Sequence, residues 1–469
     1  MSIPGAETML EWKLLMNTQN NASLVTGSIP LTLLKLGAPM MIAIVSMMAF
    51  NLVDVFFVGK LGTVELAAMV LTFPVIMGIA SFALGLGVGT VAVVSRAIGS
   101  RDTNRIQRLT TDSLSLSTIA VAGFVILGML FIEPLFRLVG ADEQTMPFVL
   151  EYMRIWFPGM VFVVVPMVGN NAIRATGDTI TPSIVMVVAV VVNALLDPLL
   201  IFGVGPLPAM GLGGAALATV VARSTTFIVA FYVLYFREKM LTSPFPPLGT
   251  LLDSYKTILA VGLPVALSNA LIPVTLFIVT RIIAAYGPGP IAGFGVASRL
   301  EAFSMTVIFA FSVGLSPFVG QNLGAGRVDR LDKAVRLSVR FALLWGIVTV
   351  AVLVPFRGAL TALFTGDFDA TDAAKQYLLL IPFTLGLKGV HQFAWSTLNV
   401  LDRAKQSLFL ELLHGFVLTI PLALLGGWRY EAFGVFCGIG VANVAGGGIG
   451  YILLQRAVRQ VNVAISPQR

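Results

Sequence analysis

Residues 180–204 read ITPSIVMVVAVVVNALLDPLLIFGV, an apolar run that is long enough for one helix to cross a lipid bilayer. Its second half contains three exceptions to the apolar pattern, Asn193, Asp197 and Pro198. An ionised aspartate at the centre of a membrane helix costs roughly 2.5 to 3.5 kcal/mol, so such a residue normally faces a bundle interior or a wet cavity. The stretch therefore predicts a bundle of membrane helices with a polar site inside it.

The spacing of these three residues indicates what the polar site binds. Asn193 and Asp197 are one helical turn apart, which places both side chains on one face of the helix. Pro198 has no N–H group, so the carbonyl of Ala194 loses its helical partner. Amide, carboxylate and carbonyl oxygens together are the ligands that hard cations prefer. The alternative is a proline kink whose aspartate pairs with a neighbouring helix.

The composition of the whole chain also indicates a membrane protein. Its 469 residues are 57% hydrophobic and 11% charged, and the mean hydropathy is +0.92. Soluble globular proteins lie far from these values. Apolar windows separated by polar or Gly/Pro-rich turns predict an all-α membrane protein with twelve transmembrane helices. The windows are residues 33–58, 68–95, 113–132, 148–170, 180–203, 210–236, 257–285, 292–320, 335–355, 376–398, 407–427 and 431–455.

Basic residues are distributed unevenly around the predicted helices. The net charge is +7, and alternating the helices across the membrane collects most Lys and Arg residues on one face, here called the basic face. This face carries, among others, Arg101, Arg105, Arg237, Arg327 and Lys333. The positive-inside rule makes it cytoplasmic, with both termini inside, in the cytoplasmic (inner) membrane of a prokaryote. The basic excess suits contact with anionic membrane lipids, and no pattern predicts nucleic-acid binding.

The two halves of the chain align with each other. Residues 37–39 (Gly-Ala-Pro) match residues 262–264 (Gly-Leu-Pro), and Gly99 matches Gly324 without a gap. Because six is an even number, two six-helix repeats are parallel, with the substrate path between them. We therefore predict two six-helix bundles, V-shaped around a central cleft. The predicted segments are a cytoplasmic N-terminal segment 1–32, a bundle 33–236, a cytoplasmic linker 237–256, a bundle 257–455 and a cytoplasmic tail 456–469.

The charged positions differ between the two repeats. Asp54 in the first helix aligns with Val279, and Asp197 aligns with Ile420. Backbone geometry alone therefore does not require the acids. A rise of 1.5 Å per residue places both in the outer half of the first bundle. Two neighbouring carboxylates at low dielectric do not both stay ionised cheaply, so a proton or a bound cation is expected to compensate them.

Several of these features together resemble the multidrug and toxic compound extrusion (MATE) family. They are the twelve helices in two parallel repeats, Asp54 late in the first helix, Asn-x-x-x-Asp-Pro at 193–198 and Arg-Ala-Thr-Gly-Asp at 174–178. The resemblance covers nearly the whole chain. It implies a secondary antiporter that exports amphipathic small molecules in exchange for H⁺ or Na⁺. These molecules are expected to be cationic.

The family's DinF-like branch implies roles for residues of the first bundle. The implied cation-coupling residues are Asp54, Asn193, Asp197 and Thr219, and the first three would hold the metal ion if the coupling ion is Na⁺. Pro39 matches the family's bending proline, and the expected hinge positions are Gly37, Pro39 and Pro198. No cofactor is expected apart from transported H⁺ or Na⁺.

The second bundle departs from the family's NorM-like branch. That branch has a Glu before a Val-Thr-Leu-Phe run and an Asp in the tenth helix. Here Pro273 precedes Val-Thr-Leu-Phe at 274–277, and the tenth helix offers Lys388 and His391 without an acid. The departure favours the DinF-like branch and leaves open whether H⁺ or Na⁺ drives transport.

Lys388 and His391 lie on one face of the tenth helix and are costly if they face lipid. Two interpretations are open. Both residues line a wet cavity, or Lys388 forms an ion pair with Glu301 inside the bundle. Glu411 and His414 are interpreted as interface residues at the cytoplasmic edge. The candidates for lining a cavity are Met47, Met48, Arg223, Glu301, Lys388 and His391.

The leading function is multidrug efflux by a monomeric antiporter, with small molecules and membrane lipids as partners. A lipid-linked oligosaccharide flippase is the alternative, and it would require a basic cavity around Arg223, Arg281, Arg299 and Lys388. An enzyme is not expected, since His391 and His414 form no His-Glu-x-x-His motif, and no ATP-binding loop occurs. A channel would need a pore ring repeated by symmetry, whereas the acids are confined to one half.

Overall fold

The computed structural model describes residues 23–203, 205 and 208–465, and these residues contain helices and connecting turns but no strand. A short helical turn, Ser23–Val25, precedes the first long helix. The helices are α1 Ile29–Gly59, α2 Thr63–Gly99, α3 Thr103–Leu130, α4 Ile132–Val139, α5 Met146–Gly159, α6 Val161–Ala175, α7 Ile180–Phe202, α8 Gly211–Tyr232, α9 Leu248–Ala284, α10 Pro288–Gly324, α11 Val328–Ala362, α12 Phe368–Leu380, α13 Pro382–Val400, α14 Ala404–Leu412 and α15 Ile420–Ile465. Two π-helical turns, Val233–Arg237 and Leu413–Thr419, continue α8 and α14.

These helices make twelve transmembrane passages, as predicted. Within the described ranges, nine helices are long and apolar enough to cross a membrane alone, and α5 with α6, bent by 42°, form a tenth passage. The stretch Ala404–Ala464 counts once among the nine but supplies two passages, because Tyr430 (φ −137°) and Glu431 (φ 52°) break it. Helices α12 and α13 form the remaining passage. It is interrupted where Pro382 begins α13, since proline donates no N–H.

Several helices extend further than the hydropathy windows. Helix α3 begins at Thr103, capped by Asp102, ten residues before the predicted start at 113. Helix α9 begins at Leu248, so the irregular part between the two halves is residues 238–247. The extensions are polar or amphipathic turns, which a window of apolar residues excludes. Of the predicted terminal segments, residues 1–22 and 466–469 lie outside the described residues.

The two bundles, α1–α8 and α9–α15, meet closely at the ends of α2 and α10 on the basic face. A side chain on Gly99 would overlap the backbone of Gln321, and one on Gly324 would overlap the backbone of Arg96. The guanidinium of Arg96 also lies 3.6 Å from the carboxylate of Asp402 in the other half. We call this contact the basic-face seam. The two bundles form a V whose cleft lies between them.

Residues 23–28 pass beneath the seam and hydrogen-bond to it. The Leu24 N–H donates to Oε1 of Gln321 at 3.2 Å, and Nε2 of the same amide donates to the carbonyl of Ala175 in the first bundle at 2.8 Å. The guanidinium of Arg330 donates to three carbonyls of this segment at 2.9, 3.0 and 3.4 Å. The buried amide of Gln321, in the second bundle, thus hydrogen-bonds both this segment and the first bundle. We call residues 23–28 the N-terminal clasp.

Candidate functional site

Three helices of the first bundle bring a polar group together. Asp54 comes from α1, Asn193 and Asp197 from α7, and Thr219 from α8, and each is less than a tenth exposed. Asn193 Nδ2 donates to Asp197 Oδ1 at 3.1 Å. The carboxylate of Asp54 faces Asp197, Asn193 and Thr219. The structure thus places all four of these predicted residues at one site.

The polar group has an incomplete set of hydrogen bonds. Four of its oxygens are buried without a partner among the described residues: Asp54 Oδ1, Asn193 Oδ1, Asp197 Oδ2 and Thr219 Oγ1. A buried acceptor without a donor costs about 1 to 3 kcal/mol. A proton on a carboxylate, or a cation bound among the oxygens, would remove this cost. The donor set contains only oxygen, which suits Na⁺ as well as H⁺.

Two further residues, Arg223 and Tyr152, interact electrostatically with the aspartates of the group. The Arg223 guanidinium lies 4.5 Å from the centre of the Phe50 ring and interacts with Asp54. The buried Tyr152 of α5 interacts with both carboxylates. With Arg223 charged and both aspartates ionised, the group carries a net charge of −1, which one monovalent cation neutralises. Sequence analysis does not identify Tyr152, because a tyrosine in an apolar helix is usually a packing residue.

The candidate hinge residues lie inside continuous helices. Pro39 lies within α1 and Pro198 within α7. At Gly37 a side chain would overlap the ring of Phe311 in α10, so close approach of the two bundles accounts for this glycine. Met47 and Met48 of α1 are 39% and 43% exposed, and neither lines the cavity described next.

The second bundle contains a cavity of about 670 Å³ lined by α9, α10 and α12–α15. Glu301, only 6% exposed, lies on its wall. Its carboxylate accepts a hydrogen bond from Lys388 Nζ at 2.5 Å and another from the Tyr377 hydroxyl. The ion pair between Lys388 and Glu301 is confirmed. His391 lines the same cavity, whereas Arg223 belongs to the other bundle.

Glu411 and His414 also line this cavity, so their interpretation as interface residues is wrong. His391 Nε2 lies 2.9 Å from Glu411 Oε1, and the rings of His391 and His414 lie 4.7 Å apart. Helix α14 begins at Ala404, so Glu411 lies roughly 10 Å along the helix at 1.5 Å per residue. Only 12% of the Glu411 side chain is exposed, which places it inside the bundle rather than at its edge.

The basic cavity that a flippase would need is not formed by the described residues. Arg299 lines the cavity of the second bundle, and the charge of Lys388 is balanced by Glu301. Arg281 is exposed on α9 outside that lining, and Arg223 lies in the first bundle. The four cations are therefore dispersed rather than gathered in one basic cavity, and Arg299 and the paired Lys388 are those that line the cavity of the second bundle.

The MatE family model matches residues 39–199 and again residues 264–425. This chain belongs to the MatE family. The repeated match reproduces the two halves, and it fits the polar group that α1, α7 and α8 build. MatE proteins are membrane transporters, so this protein is a transporter and not an enzyme.

Individual MatE proteins resemble this chain over most of its length. The FAD transporter of Shewanella oneidensis is 34% identical over 438 residues, which is 93% of this chain and 97% of that protein. The probable multidrug resistance protein YoeA of Bacillus subtilis is 25% identical over 367 residues, 77% of this chain and 79% of YoeA. The crystal structure of the Vibrio cholerae MATE transporter VcmN in the bent form superposes with a TM-score of 0.87 at 29% identity, covering 93% of this chain and 98% of VcmN.

Proposed function

We propose that this MatE transporter is a secondary antiporter that couples export of a small molecule to uptake of H⁺ or Na⁺. Asp54, Asn193, Asp197 and Thr219 bind the coupling ion. The observation that carries the proposal is the set of four buried oxygens without partners around two facing carboxylates. A neutral, fully hydrogen-bonded group would have no need of an ion.

Coupling requires the ion to prefer one conformation of the transporter. An ion shifts a conformational equilibrium only by as much as its affinity differs between the two states. Binding to Asp54 and Asp197 joins α1 to α7, and α1 bends near Pro39 when the ion arrives. The ion-bound conformation releases substrate outward and the ion-free conformation loads it. The basic face is cytoplasmic in this scheme, and the monomer lies in the cytoplasmic membrane.

The first substrate candidates are amphipathic drug-like molecules. A cavity of about 670 Å³ is within the size range of drug-binding sites, which is roughly 300 to 1,000 Å³. Its apolar wall residues include Phe294 and Met305, which suit flat, variable ligands. The name of YoeA as a probable multidrug resistance protein agrees with this class.

A flavin dinucleotide is the second candidate. Both carboxylates of the cavity are already paired, Glu301 with Lys388 and Glu411 with His391, so a cationic drug finds no unpaired acid there. Arg299 on the same wall adds a positive charge that suits a phosphate. The relative named FAD transporter is 34% identical over 438 residues.

One experiment separates these proposals. Purified protein in proteoliposomes is given an imposed H⁺ gradient or an imposed Na⁺ gradient, and transport of ethidium and of FAD is measured in each. We expect one gradient to drive transport and the other to have no effect, and the transported compound identifies the substrate class. Transport that needs neither gradient would refute the antiporter.

A further inference from the structure

We infer that His391, Glu411 and His414 form a binding site for a first-row transition metal ion, with Zn²⁺ as the best match. The site lies in the second bundle, apart from the group around Asp54. The inference does not depend on the proposed function, because metal binding is measured without transport. Imidazole and carboxylate are the donors that Zn²⁺ accepts most often after thiolate.

The distances suit a metal ion. One nitrogen of each imidazole and one oxygen of Glu411 all lie within 4.8 Å of one another. With bonds of 2.0 to 2.1 Å, the ligands of a tetrahedral Zn²⁺ are roughly 3.4 Å apart. Side-chain movements of about 1 Å would therefore close the cluster around an ion. Two imidazoles and a carboxylate leave a fourth position for water or a bound molecule, and the adjoining cavity provides space for it.

A chain of hydrogen bonds to the His414 ring determines which of its two nitrogens carries the proton. The Thr384 hydroxyl donates to the carbonyl of Ile381 at 2.8 Å, so its oxygen accepts from Asn443 Nδ2 at 3.1 Å. The oxygen of the same amide then lies 3.3 Å from His414 Nε2, which must be the donor. His414 Nδ1 consequently carries a lone pair. Metal-binding histidines almost always have their other nitrogen held in this way.

The cluster also has an unmet hydrogen-bonding group. His391 is 5% exposed, and its Nδ1 is buried without a partner among the described residues. The π-helical turn Leu413–Thr419 begins immediately before His414, and such turns occur often at functional sites. A pure packing role for two adjacent imidazoles would not leave a buried nitrogen unpaired.

The nearby charges permit a cation. Lys388 lies on the same helix as His391 and is positively charged. Its Nζ pairs with Glu301 Oε1 at 2.5 Å, so its charge is balanced. Glu411 is then the acid available to the metal, because its hydrogen-bond partner, His391, is itself one of the proposed ligands. Arg299 lies elsewhere on the cavity wall.

The test uses full-length protein in detergent, purified with an affinity tag that contains no histidine. Cys437 is replaced by Ser (Cys437→Ser) so that the thiol does not bind metal. We expect one Zn²⁺ per chain by titration calorimetry, and visible absorption typical of four-coordinate Co²⁺ when Co²⁺ replaces it. Asn443→Ala, which removes the hydrogen bond to His414 together with the one to Thr384, should weaken Zn²⁺ binding about 10- to 100-fold.

The ligand variants His391→Gln, Glu411→Gln and His414→Gln should each weaken Zn²⁺ binding further than Asn443→Ala. Gln392→Ala is the matched control, because Gln392 lines the same cavity outside the cluster. The inference is overturned if the parent protein binds no Zn²⁺ or gives only a six-coordinate Co²⁺ spectrum. Equal Zn²⁺ binding by the parent and by a monodisperse triple variant would overturn it as well.

Discussion

Arg223 sets the charge balance of the polar group in the first bundle. Counting this guanidinium together with two ionised aspartates, removal of either carboxylate charge leaves the group neutral before any ion arrives. The ion then gains nothing by binding, and the cycle loses its coupling. Single substitutions at this site are therefore expected to abolish transport without unfolding the protein.

Asp54→Asn and Asp197→Asn should each reduce gradient-driven export to the leak rate of protein-free liposomes. Asp253→Asn is the matched control, since it makes the same substitution at an exposed aspartate of α9. Export is measured in proteoliposomes with equal amounts of inserted protein. Undiminished transport by the Asp54→Asn, Asp197→Asn double variant would contradict the proposed coupling site.

Glu301→Gln leaves Lys388 without its partner and should lower the stability of the second bundle. The expected loss lies between the roughly 1 kcal/mol of an exposed ion pair and the roughly 3 kcal/mol of a buried one, because the Lys388 side chain is 34% exposed. Adding Lys388→Met should recover most of the loss. Thermal unfolding in detergent measures both variants, and no recovery in the double variant would argue against an ion pair.

Single residues differ in how far the sequence reveals them. Asp54 and Asp197 were identifiable because a charge in an apolar helix is costly unless it faces a polar interior. Glu411 and His414 were misplaced because their predicted depth depends on where the helix begins. Tyr152 was missed because its position relative to α1 and α7 depends on rotation of α5, which hydropathy does not encode.

At the scale of elements, the side-chain amide of Gln321 in the second bundle hydrogen-bonds both the N-terminal clasp and the first bundle. The number and order of helices followed from hydropathy, since twelve apolar windows gave twelve passages. The helix ends and the π-helical turns did not follow, because polar turns outside the membrane have no apolar signal. Nothing in the sequence of residues 23–28 indicates their contact with Gln321, which is almost 300 residues away.

Gln321→Leu should loosen the basic-face seam, because it removes the hydrogen bonds to Leu24 and Ala175. The reporter is Ser95→Cys in a Cys437→Ser background, as Ser95 is fully buried against Gly320. Labelling of this introduced cysteine by a membrane-impermeant maleimide, added from the basic face, should be several-fold faster with Gln321→Leu than without it.

Gln107→Leu is the control for this measurement. Gln107 donates to the carbonyl of Lys239 at 2.9 Å on the same face without crossing the seam. Equal labelling of the Gln321 and Gln107 variants would show that the clasp does not hold the seam closed.

At the scale of the whole molecule, the two bundles approach through glycines at the ends of α2 and α10. Backbone contact of this kind exists only while the basic face is closed, so alternating access must separate these helices. A side chain placed at the contact should therefore favour the conformation in which the seam is open.

Gly99→Val should reduce transport to near background while the protein still inserts and binds substrate. The added carbons would overlap the carbonyl of Gln321 and hinder closure. Gly123→Val is the control, because a side chain at Gly123 meets no atom within 4 Å. Transport is measured together with labelling of Ser95→Cys, and normal transport by Gly99→Val would contradict the requirement for closure.

The clasp also has a consequence for how the protein is made. Chains are synthesised from the N-terminus, and early domains begin to fold before later ones exist. The partners of Leu24 lie 297 and 298 residues further along the chain, so the first bundle is inserted while residues 23–28 are still unpaired. Joining of the two halves is therefore among the last steps of biogenesis. A chain that stops before Gln321 would leave its N-terminal segment uncovered, where a quality-control protease can recognise it.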